Sequence, residues 1–291
     1  MSIIANPQSC VIKIGEIPIG IRTADRGFFD SVRERYAGFL NRSVAEIELD
    51  IEISSNLPAS DDDVHVQRDG STWSFSRGDF QAEWNTKQRR GVVRQRASAY
   101  ALDSALRILH SLILAERGGF LLHAASAICE ECDGRRRLPL HNQATGRAVL
   151  FSGVSGAGKT TITRLAPRGV TLLSDEISYV GPNGDNGYCA FGTPFSGELA
   201  KSGENCSAPI AALFFLEKGP ENRTEEVSAP EAVERLMRNI LFFAEDRTLV
   251  ENLFAAACDF VQKVPVLGLT FYPDGRVWDD VRNFDRMPEH A

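Results

Sequence analysis

Gly153-Val154-Ser155-Gly156-Ala157-Gly158-Lys159-Thr160 fits the pattern G-x-x-x-x-G-K-[ST] without a mismatch. An apolar run, Ala148 to Phe151, precedes it, and a helix-like stretch, Thr160 to Leu165, follows. Strand, glycine loop and helix in that order are the context the motif requires. Glycines let the backbone wrap closely around phosphate oxygens and point several N–H groups inward. A helix N-terminus adds partial positive charge, Lys159 reaches the β and γ phosphates, and the Thr160 hydroxyl can ligate Mg²⁺. The plain alternative is a glycine-rich turn that matches by accident, and the flanking elements argue against it. The stretch therefore predicts a nucleoside-triphosphate site built from Gly153, Val154, Ser155, Gly156, Ala157, Gly158, Lys159, Thr160 and Thr161; Mg²⁺ and, as the leading reading with the nucleotide left open, ATP are the expected cofactors.

Such a site also needs a carboxylate for its metal. Val170-Thr171-Leu172-Leu173-Ser174-Asp175-Glu176 offers an acidic pair at the end of an apolar run, where strand ends meet ligands. Between Thr160 and Asp175 there is room only for a short helix, a turn and one strand. The competing reading of Asp175 and Glu176 is a solvated strand end.

Upstream of the loop, Leu102, Ala105, Leu106, Leu109, Leu112 and Ile113 recur at helical spacing, predicting a helix from Ser98 to Glu116 that stops at Gly118-Gly119. Phe120 to Ile128 and Ala148 to Phe151 read as buried strands, with a charged, Gly- and Pro-containing insertion, Glu130 to Arg147, between them. Cys10 to Ile14, Ile17 to Ile21 and Ile47 to Ile53 read as strands, the second an edge strand at best because of Pro18. Trp73-Ser74-Phe75 follows a turn at Asp69-Gly70, and a helix is expected near Phe28 to Leu40. Downstream, strands are expected at Val170 to Leu173, Ile177 to Val180 and Ile210 to Leu216. A capping box, Ser228-Ala229-Pro230-Glu231, opens a helix to about Leu241, and a second helix runs from Asp246 to about Gln262. The expected division is a small β-rich module over residues 1–96 and an α/β domain over 97–291.

The chain has 291 residues, 43% hydrophobic and 24% charged, with a formal net charge of -7. That composition is globular, and the acidity argues against a nucleic-acid groove. The longest strongly apolar stretch, Ala208 to Leu216, is too short to span a bilayer, so no membrane association is expected. The N-terminus lacks the basic and apolar regions of a secretory signal. Six scattered cysteines read as reduced thiols, which predicts a cytoplasmic protein. Whether it forms a homo-oligomer stays open.

These residues resemble the kinase domain of HPr kinase/phosphorylase and its relatives, which share a nucleotide-site arrangement with phosphoenolpyruvate carboxykinases. Leu121-Leu122-His123 opens the strand before the loop strand, where that family places a histidine. Gly153 to Thr161 matches its loop, with Thr-Thr where Ser-Glu is common. Arg168-Gly169 followed by Leu172-Leu173-Ser174-Asp175-Glu176 matches its short return to an acidic pair. The resemblance spans roughly residues 96–280. It implies an α/β fold with a P-loop mixed sheet of the HPr kinase/phosphoenolpyruvate carboxykinase type, helices mainly on one side, and transfer of phosphate to a serine. It further implies that Asp175 accepts the proton of an attacking hydroxyl, Glu176 helps Thr160 hold Mg²⁺, and His123 lies beside the reacting oxygen. Asp175, His123 and Lys159 are thus the expected catalytic residues.

The glycine-rich signature that helps the family recognise HPr is absent. Phe191-Gly192-Thr193-Pro194-Phe195-Ser196-Gly197-Glu198 stands in its place and resembles a broader set of HPr-kinase-like proteins, including kinases of peptide precursors. A protein or peptide other than HPr is the expected partner. A small alcohol such as free serine, or a nucleotide-binding switch without efficient transfer, are the alternatives. Cys129 and Cys132 form a lone C-x-x-C with His141 further on, one ligand short of a structural zinc site, and read as two cysteines at a hairpin shoulder. Arg135-Arg136-Arg137 reads as a solvated turn.

Overall fold

The computed structural model describes residues 7–58, 63–129, 146–184, 187–197 and 202–284. Cys132, His141, Arg135 to Arg137 and Glu198 lie outside the described residues, as does most of the expected insertion. The chain forms two compact units, Met1–Ile113 with Phe242–Val250, and Leu114–Leu241 with Glu251–Ala291.

The first unit holds β1 (Gln8–Ile14), β2 (Ile17–Thr23), α1 (Arg26–Arg35), β3 (Leu40–Asn41), β4 (Ile47–Ile53), β5 (His65–Asp69), β6 (Thr72–Arg77), β7 (Phe80–Asn85) and β8 (Arg90–Gln95), with most of α2 (Ala99–Glu116). Its eight-stranded sheet runs β3-β1-β2-β4-β8-β7-β6-β5. Period-two patterning decides which face is buried: Ile47, Leu49 and Ile51 of β4, and Phe80, Ala82 and Trp84 of β7, are all inward. The sheet corrects one expectation. β2 is not an edge strand, because it pairs with β1 on one side and β4 on the other. Pro18 is tolerated there because it precedes the first β2–β4 pair, Ile19 with Ile47, and contributes only its carbonyl, which accepts the Glu46 N–H at 2.8 Å.

α1 starts where the Asp25 carboxylate accepts the Phe28 N–H at 2.8 Å, and it buries Phe28, Phe29 and Val32. Just beyond it, the buried Tyr36 hydroxyl donates to Asp103 of α2, and Arg35 pairs with the same carboxylate. Burial, with the Asp103 charge beside it, pushes the Tyr36 hydroxyl well above its ordinary pKa.

The second unit holds β9 (Phe120–Cys129), β10 (Arg147–Ser152), α3 (Lys159–Arg164), β11 (Thr171–Ser174), β12 (Ile177–Pro182), β13 (Tyr188–Phe191), β14 (Ser207–Lys218), β15 (Arg223–Glu226), α4 (Ala229–Asn239), β16 (Ile240–Leu241), most of α5 (Arg247–Lys263), β17 (Val266–Phe271) and α6 (Val277–Asn283). Its nine strands form a mixed sheet, in which β10, β14 and β17 are parallel neighbours. β9 is long enough to pair with β10 along its second half and with β12 along its first. Because β10 also pairs with β14, the strands β10, β9, β12, β13 and β14 close into a five-stranded ring.

Two apolar clusters pack on these strands. In one, Phe151 stacks on Phe214 at 5.8 Å and meets the edge of Trp278 at 5.5 Å, while Trp278 Nε1 donates to the Ile162 carbonyl at 3.0 Å. That bond ties α6 to α3. In the other, Phe120, Tyr188 and Phe260 meet edge to face or tilted, and the Tyr188 hydroxyl donates to Asp259 at 2.9 Å.

The expected capping box at Ser228 does not close. Ser228 occupies the N-cap position with extended backbone but makes no side-chain hydrogen bond to the helix. Pro230 removes one of the two N–H groups such a cap serves. The helix also ends at Asn239 rather than near Leu241, because Ile240 and Leu241 pair with β9. Among the described residues, no helix is long and apolar enough to cross a membrane.

Candidate active site

β14 and β17 end together at Lys218 and Phe271, and the parallel β10 ends at Ser152, opposite Phe215, so their carboxyl ends lie on one edge of the mixed sheet. The chain leaves β10 at Gly153 and turns, with the Ala157 N–H donating to the Val154 carbonyl at 3.0 Å. Two glycines are required by backbone shape. Gly156 has φ +80° and Gly158 φ +114°, a region that costs other residues strain. A Cβ on Gly158 would lie 2.5 Å from Phe271 Cζ, whereas nothing lies within 4 Å of one on Gly156. The loop is therefore packed against β17 at Gly158 and open at Gly156, which leaves a cradle for a ligand. α3 has six residues, too short for much of the helix dipole that the motif leads one to expect. The positive charge comes from side chains.

Lys159 is 8% exposed, and its Nζ donates to the carbonyls of Gly153 at 2.7 Å and Val154 at 3.3 Å. It thus clasps the start of its own loop. Thr163 donates to the Lys159 and Thr160 carbonyls, which holds the first turn of α3.

The acidic pair stands at a bend between β11 and β12. Ser174 Oγ accepts the N–H groups of Glu176 at 3.2 Å and Ile177 at 2.9 Å, and this folds the chain over. Residues adjacent in a continuing strand would point to opposite faces. The bend instead lets Asp175 and Glu176 line one cleft. Asp175 is 3% exposed, and its Oδ1 accepts the Gly197 N–H at 2.9 Å.

That contact places the segment Gly192 to Gly197 beside the acids. Backbone bonds hold it: Thr193 N–H to the Leu173 carbonyl at 3.0 Å, Gly192 N–H to Cys206, and Gly203 N–H to Thr193. The Thr193 hydroxyl adds a bond to the Ile177 carbonyl at 2.9 Å. Gly203 has no room for a side chain, since a Cβ there would fall 1.7 Å from the Leu173 oxygen. His123 pairs with Ile177 across β9 and β12, and Ser152 Oγ donates to the His123 carbonyl at 3.0 Å.

The resulting cleft has a volume of about 260 Å³. It is lined by His123, Ser155, Gly156, Gly158, Lys159, Thr160, Thr161, Asp175, Glu176 and Lys218. Of the residues expected at the site, Gly153, Val154 and Ala157 do not line it. Gly153 and Val154 supply carbonyls to Lys159, the Val154 side chain is 76% exposed, and Ala157 is buried in the core behind the loop.

Lys218 and the contact of Gly197 with Asp175 were not foreseen. Lys218 had a usable signal, since it follows the apolar run Ile210 to Leu216 at a strand end. Gly197 was named only within the segment Phe191 to Glu198, and its bond to Asp175 had no local signal, because its place depends on long-range backbone pairing. Among the described residues, no group of three or more His, Cys, Asp or Glu side chains could hold a metal ion. A hydrated Mg²⁺ shared with phosphates needs only one or two protein oxygens, and the Thr160 hydroxyl with a cleft carboxylate meets that requirement.

The family model for ScmC, described as SynChlorMet cassette protein ScmC, matches residues 100–284, which include every residue of this cleft. No curated protein matches the chain.

Proposed function

Because the chain belongs to the ScmC family of SynChlorMet cassette proteins, we propose that it is an ATP- and Mg²⁺-dependent kinase acting on a serine or threonine hydroxyl of a protein or peptide from that cassette. The observation that carries this reading is the meeting of Lys159, Thr160, Asp175, Glu176 and His123 on one cleft. The resemblance of the same residues to HPr-kinase-like proteins supports it.

Bound ATP supplies the phosphoryl group, and Mg²⁺ neutralises charge on its oxygens. The loop N–H groups around Gly156 hold the phosphate chain, and Lys159 turns from the Gly153 and Val154 carbonyls onto it. The cleft is smaller than most ligand sites, which run about 300–1,000 Å³, so base and sugar extend beyond it. Thr160 and Glu176 hold the metal. Asp175, kept in place by the Gly197 N–H, takes the proton of the acceptor hydroxyl as that oxygen bonds to the γ phosphorus and ADP leaves. His123 stands beside the reacting oxygen. The segment Gly192 to Gly197 forms the acceptor side. A small alcohol as acceptor is the second reading, favoured by the modest volume of the cleft.

ATP with Mg²⁺ at about a hundred times its Kd is expected to stabilise the fold by roughly 2.7 kcal/mol. In thermal unfolding this is a rise of several degrees for the wild type, and Lys159→Ala should lose most of it. Absence of a wild-type shift with any common nucleotide would remove the basis of the proposal.

A further inference from the structure

The glycine-loop motif accounts for one cation at the cleft, and the fold brings a second. Lys218 ends β14, is exposed, and lines the same cleft as Lys159 and the acidic pair. Its side chain makes no hydrogen bond or ion pair with any described residue. The neighbouring acid, Glu217, is taken up by Arg235 at 3.2 Å.

The backbone of Lys218 is fixed relative to the loop. Lys218 pairs in parallel register with Phe271, and the next residue, Gly219, donates its N–H to the Phe271 carbonyl at 3.1 Å. Gly219 sits so close to β17 that a Cβ would meet Thr270 Cγ2 at 2.3 Å. Phe271 in turn fills the space against Gly158. One strand end therefore sets the spacing between the loop and Lys218.

Beside Lys159 the cleft already carries the carboxylates of Asp175 and Glu176. A triphosphate brought beside two carboxylates calls for more positive charge than one lysine and one metal supply. We propose that Lys218 is a further catalytic residue, donating to a γ-phosphate oxygen of ATP and holding that contact as the phosphoryl group transfers. The inference rests on the ATP reading of this site. It goes beyond that reading by assigning a selective grip on the third phosphate, because Lys218 comes from a strand end apart from the loop that holds the rest of the chain.

The test compares Lys218→Met and Lys218→Arg with wild type, using calorimetric titration of Mg-ATP and Mg-ADP together with turnover of ATP. Lys218→Met should weaken ATP binding by about tenfold, the worth of one charge-assisted hydrogen bond, while ADP affinity changes by less than about twofold. Turnover should fall by roughly 10²–10³, the usual cost of removing one group that stabilises transition-state charge. Lys218→Arg should recover most of the ATP affinity, and the urea midpoint should be unchanged in both variants. Equal loss of ATP and ADP affinity, or no change in either, overturns the role of Lys218 and leaves the ATP reading standing. A change confined to the acceptor KM also overturns it. A wild type that binds ATP no better than buffer overturns the ATP reading, and this inference with it.

Discussion

Asp175→Asn is expected to slow phosphoryl transfer by about 10²–10⁴, the usual worth of a positioned base, with ATP binding largely kept. The side chain is almost fully buried, and Oδ1 accepts the Gly197 N–H. Asparagine keeps both the size and an oxygen for that bond, so the loop beside it should stay in place. Glu176→Gln should behave differently. Its carboxylate shares the cleft and is less enclosed, and as a metal ligand it would lose one charged oxygen. The expected result is a raised Mg²⁺ requirement, partly rescued by excess metal. Were the roles reversed, with Asp175 serving the metal and Glu176 orienting the nucleophile, the two phenotypes would exchange. A Mg²⁺ titration of the transfer rate in both variants separates the schemes, and unchanged rates in both would remove these residues from the chemistry.

Gly158→Ala is expected to destabilise the fold by about 2–5 kcal/mol, from a left-handed backbone cost of roughly 1–2 kcal/mol and an overpacking cost of roughly 1–3 kcal/mol. The second arises because the new methyl would lie 2.5 Å from the Phe271 ring. Gly156→Ala shares only the backbone cost, since no atom lies within 4 Å of its Cβ position. Its methyl would enter the cleft instead, so ATP affinity should suffer more than stability. Phe271→Leu should restore part of the stability lost by Gly158→Ala and nothing in Gly156→Ala. Equal urea midpoints for the two glycine variants would contradict this division of the loop into a packed end and an open end.

Local patterns made much of the second unit legible. The helix over Ala99–Glu116, the strands either side of the glycine loop, and the helix of α5 all follow from periodicity and stop signals within a few residues. His123, Lys159, Thr160, Asp175 and Glu176 were each visible by type, and the bend that gathers the acids depends on a neighbour, Ser174, that the sequence also displays. What stayed hidden depends on partners far along the chain. Pro18 could not announce an internal strand, because that required knowing that its missing donor precedes the β4 ladder. Lys218 joins the cleft only through the parallel pairing of β14 with β10 and β17. β7 and β8 were different, since Phe80-Gln81-Ala82-Glu83-Trp84 carries the alternation of a half-buried strand and could have been read. Ser228 shows the opposite error, a correct cap position whose hydrogen bond is never made.

The most direct measurement is the fate of the γ phosphate. Wild type and Asp175→Asn should be incubated with γ-labelled ATP and Mg²⁺, together with the protein and peptide products of neighbouring genes and a panel of free alcohols. The expected result is label on a serine or threonine of a protein or peptide with wild type, reduced by about 10²–10⁴ with Asp175→Asn. Label on a free alcohol would move the acceptor to the small-molecule reading. Label recovered only as inorganic phosphate, or at equal rates with both proteins, would contradict a kinase built on this cleft.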